Sequence, residues 1–454
     1  MTSELLTVRM HGVPAGRILR NRQGRLSFAY DPQYMSEPQS VPLSIALPFG
    51  ADEYGDNEIS TWIASLLPDN QRVLDNWYRL EQIADRSPFG VLSTPIGFDC
   101  AGAVQFCTSE NEHDLDRRKS GTRLLSAREL SVEVSRIVAD PTMWTAEGVE
   151  PYFSLGGMQS KIALHRDGRR WARPVGDTPT THILKPRAGT AGEGNLDEQA
   201  AMEGSRLAAI GEHLCLAAAR RLGIDAAESW IEQHGRNVAT VVARFDRRHD
   251  GSEWKRLHQE DMCQALGLPS VKKYEKDGGP SASRIGDLIR TCSTDPDGDL
   301  LKFADALLYA WLTINRDAHA KNYGLLHLAG GETRLAPVYD LHSSLFFAGN
   351  RLGHIEFAAR YGDDFTVFKS NSREMLPTMA ARLVLPLNTL TSRAEHLVAN
   401  ICSAFSAEIE RLPAWAYGMG RLAEFMERLE IRSAACAKTV SSTQRKRKAS
   451  RHET

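Results

Sequence analysis

The chain has 454 residues with 55 Lys and Arg against 57 Asp and Glu, a formal net charge of −2 that gives no global pull toward nucleic acid or a membrane surface. At 42% apolar and 25% charged residues it has the composition of a soluble globular protein, long enough for two or three packed units. Its seven cysteines (Cys100, Cys107, Cys215, Cys263, Cys292, Cys402, Cys436) include no C-x-x-C pair, which argues against a disulfide framework or structural zinc and fits a reducing cytoplasm. No apolar run approaches bilayer-spanning length, and the first residues lack a basic region followed by an apolar core, so neither a membrane span nor a signal peptide is expected. No internal repeat of solenoid length is present.

Residues 7–30 read as a β meander, with turns at Gly12–Gly16 and Asn21–Gly24. A short helix follows, with Ile59, Trp62, Ile63 and Leu66 on one face and Pro68 at its end. Gly97–Phe106 reads as a further strand, and the charge-dense stretch after it as a linker over 109–122. Residues 1–108 are therefore expected to form a small α+β unit of their own.

A helix is expected near Ser126–Val138, and then the chain reaches Ser154-Leu155-Gly156-Gly157-Met158-Gln159-Ser160-Lys161 between strand-like flanks. Adjacent glycines let a backbone approach a ligand and turn N–H groups toward phosphate, and they equally make a plain hairpin turn. Thr181–Lys185 is an apolar strand carrying a lysine, a residue that can sit on a nucleotide's phosphates or simply be solvated. Asn195–Gly223 is helical, and its Glu212 is either a candidate partner for Lys185 or part of a solvated face. Val238–Phe245 is β-branched and apolar, hence a strand, ending in Ala243, Arg244 and Phe245.

From His258 onward the pattern is mostly helical: near Leu301–Ile314, Met375–Leu385, Thr391–Ala407 and Leu422–Arg432, with a loop at Lys272–Pro280. Residues 441–454 contain Arg445-Lys446-Arg447-Lys448 and read as a disordered basic tail.

The sharpest signal is Asn315-Arg316-Asp317-Ala318-His319-Ala320-Lys321-Asn322, at the end of a run that is apolar on every side. An acid, an imidazole, an ammonium and an amide are costly neighbours for a core unless they act chemically. Two short strands around Ala329–Glu332 form a hairpin that leads to Val338-Tyr339-Asp340, so Asp340 is expected near Asp317 and Asn322. Two carboxylates and an amide supply oxygen ligands suited to Mg²⁺, and protein kinases place catalytic loop, hairpin and metal-binding aspartate in this order.

With these motifs in series the chain resembles the HipA-type serine/threonine kinases, the toxin halves of bacterial toxin–antitoxin pairs. The resemblance extends over nearly the whole sequence. Val41–Pro48, Leu66–Asn70 and Asp99–Gln105 resemble the family's N-terminal subdomain; Ser154–Lys161, Thr178–Lys185, Arg244–Arg247 and His258–Asp261 resemble its kinase N-lobe and lobe junction; Asp317–Asn322 is its most specific signature. It implies an α+β fold: an N-terminal subdomain (1–108), a linker (109–122), a β-rich kinase N-lobe (123–246) and an all-α C-lobe (247–440).

The resemblance also implies that Asp317 orients or deprotonates the substrate hydroxyl, with Lys321 in the catalytic set, and that Asn322 and Asp340 hold Mg²⁺. Lys185 would contact the ATP phosphates, Gly156–Lys161 would cover them, and Ala243–Phe245 would meet adenine. Autophosphorylation would fall on Ser154; Ser160, standing where many relatives carry an acid, is a second candidate. Implied partners are a small helix-turn-helix antitoxin, operator DNA reached only through it, and a protein substrate such as an aminoacyl-tRNA synthetase. Two rivals remain: a silent corepressor of the antitoxin, and a metal-dependent phosphohydrolase using Asp317, His319 and Asp340.

Overall fold

The computed structural model describes residues 4–115, 120–144, 152–187, 198–347, 352–417 and 421–450. Two compact units result: Met1–Arg206 with Trp230–Ser270 and Leu325–Ala336, and Leu207–Ser229 with Val271–Gly324 and Pro337–Thr454.

The first unit opens with an antiparallel sheet of β1 (Glu4–Met10), β2 (Val13–Arg20), β3 (Leu26–Tyr30) and β4 (Val104–Cys107), in the order β3-β2-β1-β4. Strand alternation turns Leu6, Val8 and Met10 inward, and the helix Asp56–Ser65 buries Ile59, Trp62 and Ile63. Residues 1–108 do not keep this core to themselves, as the sequence had suggested. One apolar cluster runs from Leu6 to Trp144, Phe153, Leu155 and Ala163, because the sheet needs more cover than its own short helices supply. The strand expected over 97–106 is also shorter, since Asp99 turns its carboxylate into an ionic cluster and Gly102 (φ 76°) makes the turn into β4.

The second sheet contains β5 (Gly121–Leu124), β6 (Ile162–Asp167), β7 (Arg170–Val175), β8 (His182–Pro186), β9 (Ser229–His234) and β10 (Asn237–Ala243), in the order β5-β7-β6-β8-β10-β9. The helix Ala127–Ala139 packs Leu130, Val134 and Ile137 into its core and starts in a capping box between Ser126 and Glu129. The expected linker over 109–122 includes a 3₁₀ turn at Glu112–Leu115 and the start of β5; its residues 116–119 lie outside the described residues.

Beyond a ribbon of β11 (Arg247–His249) and β12 (Trp254–Arg256), a third sheet corrects the sequence reading. His258–Asp261, taken as the entry to helices, is strand β13, joined to the hairpin of β14 (Gly324–Leu328) and β15 (Glu332–Leu335) in the order β13-β14-β15. The boundary expected at 246 is therefore not where the units divide. Buried Glu260 fixes the sheet: it accepts from Ser44 Oγ at 2.5 Å and Ile45 N at 2.9 Å, and His327 Nε2 lies 2.8 Å away.

The second unit is mostly helical: Ala282–Cys292, Pro296–Thr313, Met375–Leu383, Leu387–Glu410 and Arg421–Ser450, with the C-terminal part of Glu198–Arg221. It is not wholly α, since Glu356–Tyr361 pairs with Asp364–Thr366. Every residue from Phe303 to Thr313 is buried, as an apolar run without a polar face requires. The last helix continues through Ser450, so residues 441–450 are not the disordered tail read from their charge. Buried Val440 and Thr443 anchor the turn before the basic run, which contains good helix formers and no Gly or Pro. Residues 451–454 lie outside the described residues.

Candidate active site

In the second unit the helix Pro296–Thr313 stops because Ile314 turns left-handed (φ 52°), and Asn315 N returns to Ala310 O at 2.8 Å. The loop that follows is held by its own polar groups. Asn315 Oδ1 accepts from Asp317 N at 3.0 Å, and Asn322 Nδ2 donates to Asp317 O at 2.6 Å. A carbonyl can only accept, so the Asn322 amide must present its nitrogen there, which turns its oxygen away from that bond. Lys321 and Asn322 are buried, whereas the Asp317 side chain is 38% exposed.

Three bonds fix the approach to Asp340. Val338 N donates to Asp225 O and Ala227 N to Val338 O, a short parallel bridge, and Tyr339 Oη donates to Lys321 O at 2.7 Å. The residue before Asp340 is thus tied to the residue before Asn322, as the hairpin had suggested. Asp340 itself is left-handed (φ 55°), a conformation costly for a non-glycine residue and common where a side chain must be aimed. Its Oδ1 lies 3.1 Å from His342 Nε2, and Glu212, Asp340 and His342 each offer a ligand atom within 4.8 Å of the others. The Asn322 amide oxygen and the Asp340 carboxylate are hard donors that fit Mg²⁺, with His342 as a nitrogen donor alongside.

The first unit carries the remaining expected residues. Lys185 is buried in β8 opposite Thr240 of β10. Of the expected strand-like flanks of the glycine segment, only the following one is a strand, β6; residues 152–160 run irregularly. Gly157 has φ 103°, and Lys161 braces the turn by donating from Nζ to Gly156 O at 2.6 Å, with its ammonium 4.5 Å from the centre of the Trp144 ring. Ser154 is fully buried and Ser160 nearly so, Ser160 Oγ donating to Pro141 O at 2.6 Å; Met158 is exposed.

Ala243 ends β10 opposite His182, and Arg244 N donates to Thr181 O at 2.9 Å. The Arg244 guanidinium is engaged by Asp99, Asp246, Thr180 and the Cys100 carbonyl, so a ligand at 243–245 would meet backbone and Phe245 rather than that cation. Lys185 belongs to the first unit and Glu212 to the second; their pairing remains an expectation.

Two neighbours of these residues carry no signal of their own in the sequence. His342 follows Asp340 by two positions, and nothing but that proximity marks it. Tyr274, within the loop expected at Lys272–Pro280, donates its hydroxyl to Asp317 Oδ1 at 2.7 Å. Burial, and then the bond to Asp317, push its phenol well above the ordinary range, so it remains a donor. His319, also buried, has its Nε2 3.5 Å from the same oxygen; burial lowers its pKa against the opposing pull of Asp317 and Asp340.

Comparison with known proteins finds relatives over both parts of the chain. Residues 6–107 match the family model of the HipA N-terminal domain, and 153–409 that of the HipA-like C-terminal domain. The serine/threonine-protein kinase toxin HipA of Shewanella oneidensis is 29% identical over 437 residues, 91% of each chain. Y4mE of Sinorhizobium fredii, named as a kinase, is 30% identical over 404 residues, 87% of this chain and 91% of its own. In the solved complex of the Shewanella oneidensis toxin–antitoxin system, HipA and HipB with operator DNA, one chain matches with a TM-score of 0.79 at 25% identity, over 96% of this chain and 99% of that one.

Proposed function

The chain belongs to the HipA family of serine/threonine-protein kinase toxins, and from that premise we propose that it transfers the γ-phosphate of ATP to a Ser or Thr hydroxyl with Asp317 as the base. The observation that carries this reading is the loop Asp317–Asn322: an exposed carboxylate fixed through its backbone to the Asn322 amide, in a loop that Tyr339, the neighbour of left-handed Asp340, bonds at Lys321 O. Phosphoryl transfer asks little covalent chemistry of a protein and much positioning, which is what these bonds supply.

In this reading Asp317 takes the proton of the attacking hydroxyl as its oxygen bonds to the γ-phosphorus and the bridging oxygen leaves with ADP. Asn322 and Asp340 would hold Mg²⁺, which when bound neutralises charge on the β- and γ-oxygens. Lys321 belongs to the catalytic set, Lys185 offers a cation to the phosphates, Gly156–Lys161 covers them, and Ala243–Phe245 meets adenine. The family resemblance supplies the cellular part of the proposal: a small helix-turn-helix antitoxin as partner, operator DNA met only through it, and a translation protein such as an aminoacyl-tRNA synthetase as substrate; of these, the solved relative is itself a complex of HipA with HipB and operator DNA. No helix among the described residues is long and apolar enough to cross a membrane.

Incubating the purified chain with Mg-ATP, beside Asp317→Ala, tests the proposal. Phosphate bound to protein in the wild type alone supports the kinase. Free phosphate alone would point to a phosphohydrolase, and neither product to a silent corepressor.

A further inference from the structure

We infer that Tyr274 is a positioning residue for the base: its hydroxyl, with the His319 ring, fixes one oxygen of Asp317 so that the other faces the incoming hydroxyl. The inference rests on the assignment of Asp317 as the base.

Both neighbours converge on Oδ1. Tyr274 Oη donates to it at 2.7 Å, and His319 Nε2 stands 3.5 Å from it. The two rings also meet edge to face, 5.0 Å between centroids, so each limits the other's movement. Among the described residues no hydrogen bond reaches Oδ2, and the side chain keeps 38% of its surface open. A carboxylate turns easily about its last torsion, which is broad and roughly two-fold, so pinning one oxygen is what gives the other a direction.

The segment bearing Tyr274 is built to hold that position. Ala320 N donates to Lys273 O at 3.1 Å, a backbone bond between the loop and the catalytic stretch. The loop closes on Tyr274 through its carbonyl, which accepts from Asp277 N at 3.1 Å and Gly279 N at 2.9 Å, while Lys272 Nζ donates to Asp277 O at 2.9 Å. A Cβ on Gly279 would lie 2.6 Å from Tyr274 O, so the closure depends on glycine. These contacts serve no apolar core, since Val271, Lys272, Lys276 and Asp277 are exposed.

The test compares full-length wild type, Tyr274→Phe, Tyr274→Leu and Asp317→Asn, following labelled phosphate from Mg-ATP onto the chain itself and onto casein as probe acceptor. Tyr274→Phe keeps the ring and should lower kcat by roughly ten- to a hundredfold, the range of a lost charge-assisted bond or slight misplacement, with KM for ATP and thermal midpoint unchanged. Tyr274→Leu should lose more, because His319 then loses its neighbour. Wild-type rates in Tyr274→Phe with Asp317→Asn inactive would overturn the inference alone. A fall in kcat matched by a rise in KM or a lowered midpoint would also overturn it, as a merely structural role. Full transfer by Asp317→Asn, or none by wild type, would instead remove the reading of Asp317 beneath it.

Discussion

Ser154 donates its hydroxyl to the carbonyl oxygen of Leu66 across 2.7 Å and has no surface left to solvent. Its amide donates to Asp99 O at 2.9 Å, and Asp69 N holds Gly157 O at 3.1 Å, so the glycine segment is docked at both ends. A phosphate on that oxygen would remove the donor and place close to two negative charges in a dry pocket, which the docked position cannot accommodate.

Ser154→Asp is therefore expected to undock the segment and abolish transfer. Ser154→Ala should keep the initial rate and lose any progressive self-inactivation seen when wild type is held with Mg-ATP. Mass spectrometry of the incubated chain checks the site. If Ser154→Ala declines like wild type and Ser160→Ala does not, Ser160 is the modified residue instead.

Asp99 should matter more to stability than any surface acid. It meets Arg244 Nη1 at 3.2 Å, Arg247 Nη2 at 2.9 Å and Arg256 Nη2 at 3.2 Å, while Asp246 meets Arg244 Nη2 at 2.7 Å and Arg247 Nη1 at 2.9 Å. Burial alone would raise the Asp99 pKa, but Arg247, Arg244 and Arg256 together hold it below the ordinary value. Asp99→Ala leaves three buried guanidinium groups short of a partner and is expected to cost about 3–5 kcal/mol in urea unfolding. A loss under about 1 kcal/mol, the range of a surface pair, would show that water replaces the carboxylate freely.

These two relationships show what the sequence could and could not disclose. Asp317, Lys321 and Asn322 were legible because they share one loop, so their chemistry appears as a pattern of types. Asp340 was legible because a recognisable hairpin delivers it. The Asp99–Arg244 pair joins residues 145 apart, and Tyr274–Asp317 residues 43 apart, and no local periodicity records such contacts. β13 was missed for a related reason: His258-Gln259-Glu260-Asp261 has no apolar alternation, and its burial depends on Ser44, His327 and Leu43 supplied from elsewhere. A buried polar strand looks like a loop until its partners are known.

Gly279→Ala offers an independent check on the loop that carries Tyr274. The added methyl group would press on the Lys272 and Tyr274 carbonyl oxygens, so the turn must open and move the phenol away from Asp317. Turnover should drop by about the same factor as in Tyr274→Phe, roughly tenfold or more, while the urea midpoint stays close to wild type because the loop is exposed. Normal turnover would mean that Tyr274 reaches Asp317 without this closure.

Several buried histidines set how stability depends on pH. His182 packs edge-on against Trp171 and Trp230, with ring centroids 5.5 and 5.3 Å away, and burial, aided by Arg166 and His165, lowers its pKa from 6.5 to about 4. His213 is lowered to about 4, again chiefly by burial, and His258 well below 6.5 by burial and then by His327. In each case the unfolded chain takes the proton first, so the stabilisation is complete above pH 6.5 and is lost as pH falls toward the folded value. A fully shifted histidine tilts unfolding by up to about 1.4 kcal/mol per pH unit in that window. Asp246, held at about 2 because Arg244 and Arg247 outweigh its burial, loses its contribution only below its ordinary 3.8, so the two effects separate. Urea midpoints should be flat from pH 8 to 7 and fall steadily from about 6.5 to 4.5, with a shallower fall in His182→Phe. A midpoint constant across that range would mean that these imidazoles take up protons in the folded chain as readily as in the unfolded one.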